Sequence, residues 1–495
     1  MRTVTGVESS RGRLGARSSS RRQKPPENRA LSGRFRRRGA ASLPSREDRN
    51  PESCVGNPHS RSRRIADILS LNIHKPKYPA DASSGGRLMA ADEAWPAHTS
   101  EPRAWRQKYR GGTREDRMLS TIDVALPPLI AHLDFSAAPA TATLTEQAIV
   151  EIAYTEGAAG AQLAALGRFL TQTESVSSSK IERVEAGSED FARALVGIKA
   201  NPSAVSMVAA TEALNSMVDR AGETGRIELA DLLAAHAILM RDDPLDRDYA
   251  GRVRDMQNWI GGSDHSPRGA VHIPPPPELL DRYLRDLETY INRDDVPPLV
   301  QAAAAHAQFE SIHPFTDGNG RIGRALINAI LRRRKVTRAT VVPIATAMVA
   351  DRDGYFALVN GYRRGHLGAF VRSMSEQAIV AAEESQKSAH RLRELPAEWA
   401  GMSRPRSGSA AERILGSLLD QPVISTESAR RISGASAGST SEALSRLEAD
   451  GVLREITGRT KNKVWAAVDV TAELDDLQVR IAKRVQAAKE PEVQT

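Results

Sequence analysis

One cysteine, Cys54, stands in 495 residues. A lone thiol closes no internal disulfide, and with scattered histidines it builds no Cys-based zinc site, so disulfide-stapled and zinc-ribbon classes are excluded. That composition suits a reducing cytoplasm. Long apolar runs are missing too: Ala302–Phe309 is interrupted by His306 and Gln308, far short of a membrane span. No Gly-x4-Gly-Lys-Ser/Thr loop occurs, which excludes the P-loop class. What is present, 40% hydrophobic and 26% charged residues, reads as globular, and the length allows two to four domains at roughly 100–200 residues each.

The formal charge of +8 is unevenly placed. Residues 1–88 hold 20 of the 69 Lys and Arg but 7 of the 61 Asp and Glu, a net of +13, so the remainder carries −5. A pI near 9.6 therefore says nothing of nucleic-acid binding by the folded part. The 1–88 segment is rich in Arg, Ser, Gly and Pro and has no helical or strand periodicity, which predicts a disordered tail. It has no apolar core of a secretory signal; an arm for nucleic acid or anionic lipid, or a transit peptide, fits its composition. The reading preferred here is a non-native extension, with natural translation starting at Met89.

Beyond a polar lead-in at 103–130, apolar residues recur at helical spacing from Thr145 onward, and again over 195–218, 228–240, 277–291, 299–311, 321–333 and 355–384. Short runs at Val341-Val342 and Val271–Ile273 are the candidate strands. The body is therefore mainly α. A Gly, Ser, Pro and Arg cluster at 400–409 reads as a linker. After it, three short helical patterns and an alternating segment at 452–468 with Gly458 at its turn predict a winged helix-turn-helix over 410–469, and 470–495 a closing helix and tail.

The sharpest local feature is the run from Ser311 to Arg324, where a helix ends at His313-Pro314, a loop turns, and an amphipathic helix begins. Gly318 and Gly320 let backbone N–H groups converge, and the following helix N-terminus adds partial positive charge, so the loop suits a phosphate. Arg321 and Arg324, three apart, are expected to reach that phosphate together, and Asp317 to hold a Mg²⁺ ion. His313 is a candidate base. Gly318, Gly320 and Gly323 also fit a dinucleotide fingerprint, but an Ala-rich helix precedes them where that motif requires a strand.

Residues 313–324, His-Pro-Phe-Thr-Asp-Gly-Asn-Gly-Arg-Ile-Gly-Arg, resemble the Fic family signature at every fixed position. The resemblance implies a Fic helical core over 226–384 with a small β-hairpin flap, preceded by a helical region at 103–225. It implies transfer of AMP from ATP, with Mg²⁺, to a Ser, Thr or Tyr hydroxyl of a target protein or of the chain itself. By position, His313 would be the base and Asp317 the Mg²⁺ ligand. Gly318, Asn319, Gly320, Arg321, Ile322, Gly323 and Arg324 would cradle the nucleotide. Gly269, Ala270, Val271 and His272 look like the family's flap, which aligns a target peptide and borders the nucleotide. Tyr355 and Phe356 resemble its adenine-side pair, and Arg363 replaces an Asn that some members use for the base.

Upstream, Ser178 and Glu182 resemble the inhibitory Ser/Thr-x-x-x-Glu motif, in which Glu182 would pair with Arg324 and withdraw it from the γ-phosphate. Arg183 stands where that motif has Gly or Asn. Two alternatives accompany this reading: removal of AMP from a modified protein, with Glu182 orienting water, and a DNA-binding regulator using the core as a nucleotide sensor. A homodimer is compatible with this reading; the C-terminal module suits dimerisation or target docking, with DNA the less favoured partner because acidic residues interleave its basic ones, and a membrane is not expected.

Overall fold

The computed structural model describes residues 93–108, 111–198 and 200–489; the basic segment 1–88 lies outside them. The region read as a polar lead-in opens with two antiparallel strands, β1 (Thr99–Ala104) and β2 (Thr121–Leu126), with Thr99 opposite Leu126. Between them lies a one-turn helix, α1 (Arg114–Met118), started by a reciprocal Thr113–Asp116 capping box. Asp116 is buried and also accepts from Ser266 Oγ at 2.6 Å, tying this turn to the segment 260–273.

Helices follow: α2 (Pro139–Ala159), α3 (Leu163–Ile181), α4 (Ser188–Leu195), α5 (Pro202–Thr224), α6 (Leu229–Met240), α7 (Leu280–Ile291), α8 (Pro298–Ile312), α9 (Asn319–Arg333), α10 (Ile344–Ala350), α11 (Arg352–Arg363) and α12 (Leu367–Ser403). Helix α8 is the centre of the body. Every residue from Leu299 to Ile312 is buried, and Ala302–Ala305 let neighbouring helices approach it on all sides, so it has no polar face to give it an amphipathic pattern. Helices α7, α9, α11 and α12 pack around it, and α9 also lies along α5.

Three boundaries differ from the sequence reading. The single pattern at 355–384 is two helices, broken at 364–366, where Gly365 has φ +91 and its backbone lies against Trp95 O. The linker expected at 400–409 is shorter, because α12 runs 37 residues through Pro396 to Ser403. Leu392, Leu395 and Trp399 are almost completely buried, and Trp399 Nε1 donates to Asp469 at 2.8 Å, which holds the helix past its proline and glycine. Val341-Val342 forms no strand.

The flap segment is a turn with one bridge, Ile260 to His272, rather than a hairpin of two strands. Its outer edge instead meets β2, where Ala125 N donates to Ile273 O at 2.7 Å, and Pro274–Pro277 have no N–H to extend the pairing. Gly262, φ +76, is required here: a Cβ would collide with Arg268 O and the Gly269–Ala270 backbone.

Past Ser403 come α13 (Ala410–Ser417), β3 (Val423–Ser425), α14 (Thr426–Ser433), α15 (Ala437–Ala449), the hairpin β4 (Leu453–Glu455) and β5 (Val464–Ala467), and α16 (Val468–Ala487). The three strands are antiparallel in the order β3-β5-β4. This C-terminal body is fastened to the α3–α4 corner. Ala192 packs among Ile456, Val464 and Ala466, Arg193 donates to Ile456 O at 2.6 Å, and Lys180 donates to Gln478 at 2.7 Å. Among the described residues, no helix is long and apolar enough to cross a membrane.

Candidate functional site

The loop between α8 and α9 is built around His313. That residue caps α8 in the left-handed conformation, φ 48, and Pro314 prevents the helix from continuing. Phe315 turns into the core and stacks on His236 with ring centroids 3.8 Å apart. His236 accepts from Gly251 N at Nδ1, so its Nε2–H donates to Asp317 O at 3.1 Å. Asn319 closes the loop from inside: its Oδ1 accepts from Phe315 N and its Nδ2 donates to Phe315 O, each at 2.9 Å. Gly318, φ +77, precedes α9, and a Cβ there would meet Leu239 and Met240.

From the other side, Arg254 holds the same loop. This arginine is 2% exposed, and it donates to His313 O at 2.9 Å, Met256 O at 2.8 Å and Pro275 O at 2.6 Å. Burial pushes its pKa down to about 9. Burial, with the charges of Arg254 and Arg363, pushes His313 down to about 3, so its imidazole is neutral at physiological pH.

His313 opens into a cavity also lined by Glu182, Ile260, Glu310, Asp317, Gly318, Asn319, Gly320, Tyr355, Phe356, Val359, Asn360 and Arg363. The two arginines expected to converge there separate. Residues three apart on a helix differ by about 60° around its axis. Arg321 therefore turns toward α5, donating to Ser206 Oγ at 2.9 Å with Asp317 3.7 Å away. Arg324 turns toward α3, is 1% exposed, and donates to Ser178 Oγ, Ser178 O and Glu182 Oε1 at 2.8, 2.9 and 2.8 Å. Burial opposes the charge on Arg324, but Glu182, Tyr355 and Glu310 outweigh it and raise its pKa. The Glu182 carboxylate lies directly over Gly320, where a Cβ would collide with it. Arg183, immediately after it, has φ 55, a conformation that Gly and Asn adopt more readily than Arg.

Of the other sequence candidates, Tyr355, Phe356 and Arg363 line the cavity, and Ile322, Gly323 and residues 269–272 do not. Ile322 is core, and Gly323 packs against Glu310, His306 and Phe309. Gly269, Ala270, Val271 and His272 do not line it. Val271 is 44% exposed on the outer side of the flap, whereas the His272 ring is buried against Ser311 O at 2.8 Å. The flap's contribution to the wall is Ile260. Tyr355 is buried and hydrogen-bonded to His306 at 3.0 Å, and Phe356 covers Arg352. Arg363 donates to Asn360 Oδ1 at 2.8 Å, and burial brings its pKa down to about 10.

Sequence reasoning missed Glu310, Val359, Asn360 and Ile260. Glu310 lies one helical turn before His313, and its Oε1 has no hydrogen-bond partner. Burial, opposed by Arg324 and reinforced by Glu182, pushes it up to about 7. A carboxyl in an Ala-rich helix was a signal available in the sequence. Among the described residues no group of three or more His, Cys, Asp and Glu is placed to hold a metal. Asp317 alone fits a Mg²⁺ ion whose other ligands are substrate phosphates and water.

Residues 226–331 match the Fic/DOC family model. The chain is 30% identical over 191 residues to protein adenylyltransferase fic-1 of Caenorhabditis elegans, covering 38% of this chain and 34% of that one. It is 33% identical over 150 residues to protein adenylyltransferase Fic of Nematostella vectensis, covering 30% and 31%. The matched region thus spans about a third of these curated relatives. Among solved structures, a Fic family protein from Desulfovibrio desulfuricans G20 overlaps 68% of this chain and 97% of its own, with a TM-score of 0.45 and 24% identity.

Proposed function

We propose, from the premise that residues 226–331 are a Fic/DOC family domain, that the protein transfers AMP from ATP to a Ser, Thr or Tyr hydroxyl of a target protein. The observation that carries this is the shared cavity: a neutral imidazole, His313, faces the Gly318–Gly320 turn and the N-terminus of α9. In that reaction the hydroxyl oxygen bonds to the α-phosphorus and the bond to the β-bridging oxygen breaks. Pyrophosphate leaves, and the hydroxyl proton passes to His313. The α9 N–H groups and the Arg324 guanidinium supply positive charge for the phosphates. Asp317 would hold Mg²⁺ with the triphosphate, and that ion would neutralise part of the phosphate charge.

The inhibitory reading of Glu182 is supported by its ion pair with Arg324 at 2.8 Å and by its position over Gly320. A carboxylate there repels a γ-phosphate and occupies the arginine that would bind it. The same position, beside the cavity that contains His313, also suits a carboxylate that orients water, which favours removal of AMP as the second reading. We read 410–469 as a winged helix that docks protein. The exposed face of α15 carries Glu442 and Glu448 with Arg446, which disfavours a DNA phosphate backbone.

The test is label transfer from α-labelled ATP with Mg²⁺, using the unmodified chain, His313→Ala and Glu182→Gly, alone and with cell lysate. Labelling of the chain or of a lysate protein by Glu182→Gly, absent in His313→Ala, supports transfer with inhibition. If Glu182→Gly instead abolishes release of AMP from a pre-labelled protein, removal is the activity. No labelling and no release under any of these conditions refutes both.

A further inference from the structure

His313 is held by its ring as well as by its backbone, and the partners of the ring conflict with the proposed proton transfer. Its Nδ1 faces two side-chain amide nitrogens, Asn258 Nδ2 at 3.0 Å and Asn319 Nδ2 at 3.2 Å. An amide NH₂ only donates, so Nδ1 accepts, and the single proton of a neutral imidazole lies on Nε2. In that tautomer the nitrogen left for a substrate is itself a donor and takes no proton. Once a proton is taken, moreover, both ring nitrogens become donors, and Nδ1–H then requires an acceptor.

Two groups meet Nδ1, and they differ in freedom. Asn319 is fixed, because its Oδ1 accepts from Phe315 N while its Nδ2 donates to Phe315 O. Asn258 is not fixed in this way. Its Nδ2 shares the Phe315 carbonyl at 3.0 Å, and its Oδ1 is buried with no hydrogen-bond partner. Turning the Asn258 carboxamide by half a revolution offers Oδ1 to Nδ1–H and leaves Phe315 O with its Asn319 donor. The turned oxygen also faces Phe315 O, and this repulsion accounts for the opposite orientation at rest.

We propose that Asn258 is the positioning residue that sets the tautomer of His313: its amide nitrogen toward Nδ1 holds the site at rest, and its amide oxygen toward Nδ1–H frees Nε2 to act as base. The inference rests on the transfer reaction proposed above. In the active arrangement the target hydroxyl loses its proton to Nε2 as its oxygen bonds to the α-phosphorus and pyrophosphate departs. The resulting imidazolium donates through Nδ1 to Asn258 Oδ1 and later returns the Nε2 proton to solvent. Arg254 ahead of the flap, His272 in it, Arg363 on α11, Glu310 on α8 and Asp317 in the loop are the titratable or charged groups around this ring. The cations disfavour the imidazolium, so the acceptor at Nδ1 is the stabilising contact this mechanism requires.

The test uses the full chain with ¹⁵N-labelled histidine and identifies the His313 signals by their loss in His313→Gln. Without nucleotide, the unsubstituted chain should show a protonated Nε2 and an imine-type Nδ1. Asn258→Asp, which can only accept, should reverse that pattern. In the Glu182→Gly background, Asn258→Leu should lower kcat about 10- to 100-fold, no more than the lower end of the 10²–10⁴ that a general base supplies, because His313 itself remains. KM for ATP should stay within about twofold, because the nucleotide contacts other groups. Asn258→Asp should retain transfer and move its acidic limb to higher pH. An unchanged kcat in Asn258→Leu, or a resting ring already protonated at Nδ1, overturns the inference. If Glu182→Gly transfers no AMP, the parent reading fails, and the nitrogen signals still decide the tautomer. Should Asn258→Asp not fold, Asn258→Ser supplies the accepting oxygen.

Discussion

Glu182→Ala separates inhibition from ordinary structure, because it removes half of a buried ion pair that a nucleotide can replace. Arg324 is 1% exposed, and Glu182 retains 19%. Breaking a fully buried pair costs about 3–5 kcal/mol. Here Ser178 O, Ser178 Oγ and the Tyr355 hydroxyl continue to accept from Arg324, and the cavity rim admits water, so about 2 kcal/mol is the expected loss. For a body of this size each kcal/mol moves Tm by roughly 1–2 °C, giving a fall of about 2–4 °C without ligand. With Mg²⁺ and ATP the direction reverses. A triphosphate supplies the missing negative charge, and at 100 times Kd it stabilises by about 2.7 kcal/mol. ATP affinity should rise about 30-fold over the unmodified chain, the equivalent of about 2 kcal/mol. Scanning fluorimetry with and without Mg-ATP, and a calorimetric titration, measure both. Equal ATP shifts in the two proteins, with no loss of stability in Glu182→Ala, would refute the view that Glu182 occupies a nucleotide's place.

Three further outcomes follow from the same geometry. Gly320→Ala puts a methyl where the Glu182 carboxylate sits. It should lower Tm about as much as Glu182→Ala yet show no ATP-dependent rise, because the methyl also occupies phosphate space; scanning fluorimetry reads both. Arg183→Gly relieves a positive φ at the end of α3 and should raise Tm by roughly 1–2 °C, for about 1 kcal/mol, while lowering any basal label transfer. Burial pushes His98, His306 and His313 down to about 3 and His236 to about 4, and it lowers His272 well below 6.5. These rings stay neutral in the fold while the unfolded chain takes up protons below about pH 6.5, so stability should fall from there toward pH 4. Buried Glu174 and Glu310, raised to about 8 and about 7, contribute the opposite slope, losing stability as pH rises from about 4.5 through 7–8. A Tm–pH curve should therefore peak near pH 7, where the five histidine and two glutamate contributions balance, and His306→Gln should flatten its acid side.

The parts of this molecule that depend on local chemistry were legible in the sequence. His313-Pro314 ends a helix, and Gly318 and Gly320 open a turn, as local patterns indicate, whereas the meeting of Glu182 with Arg324 was expected only from the family resemblance. Partners distant in sequence were not legible. Strand β1 alternates weakly and contains Pro102, and only its pairing with β2 makes it a strand. Helix α12 passes a proline because Trp399 finds Asp469 seventy residues later. Spacing put Arg321 and Arg324 on nearby sides of α9, but which neighbour each meets, Ser206 or Ser178, is settled by tertiary packing. Asn258 shows the same limit: the imidazole it meets lies 55 residues away.

Helix α12 has a mechanical consequence. At 1.5 Å per residue its 37 residues extend about 55 Å, with one end packed along α2 and α8 and the other buried beneath α13 and α16. The helix continues without interruption past Pro396. A swinging C-terminal body would require a bend in this rod or the parting of the seam at Ala192, Arg193 and Lys180. The 410–469 module thus meets α4, just past the corner that carries Glu182, through Ala192 and Arg193. Distance probes on α12 and α15 should report a single narrow spacing.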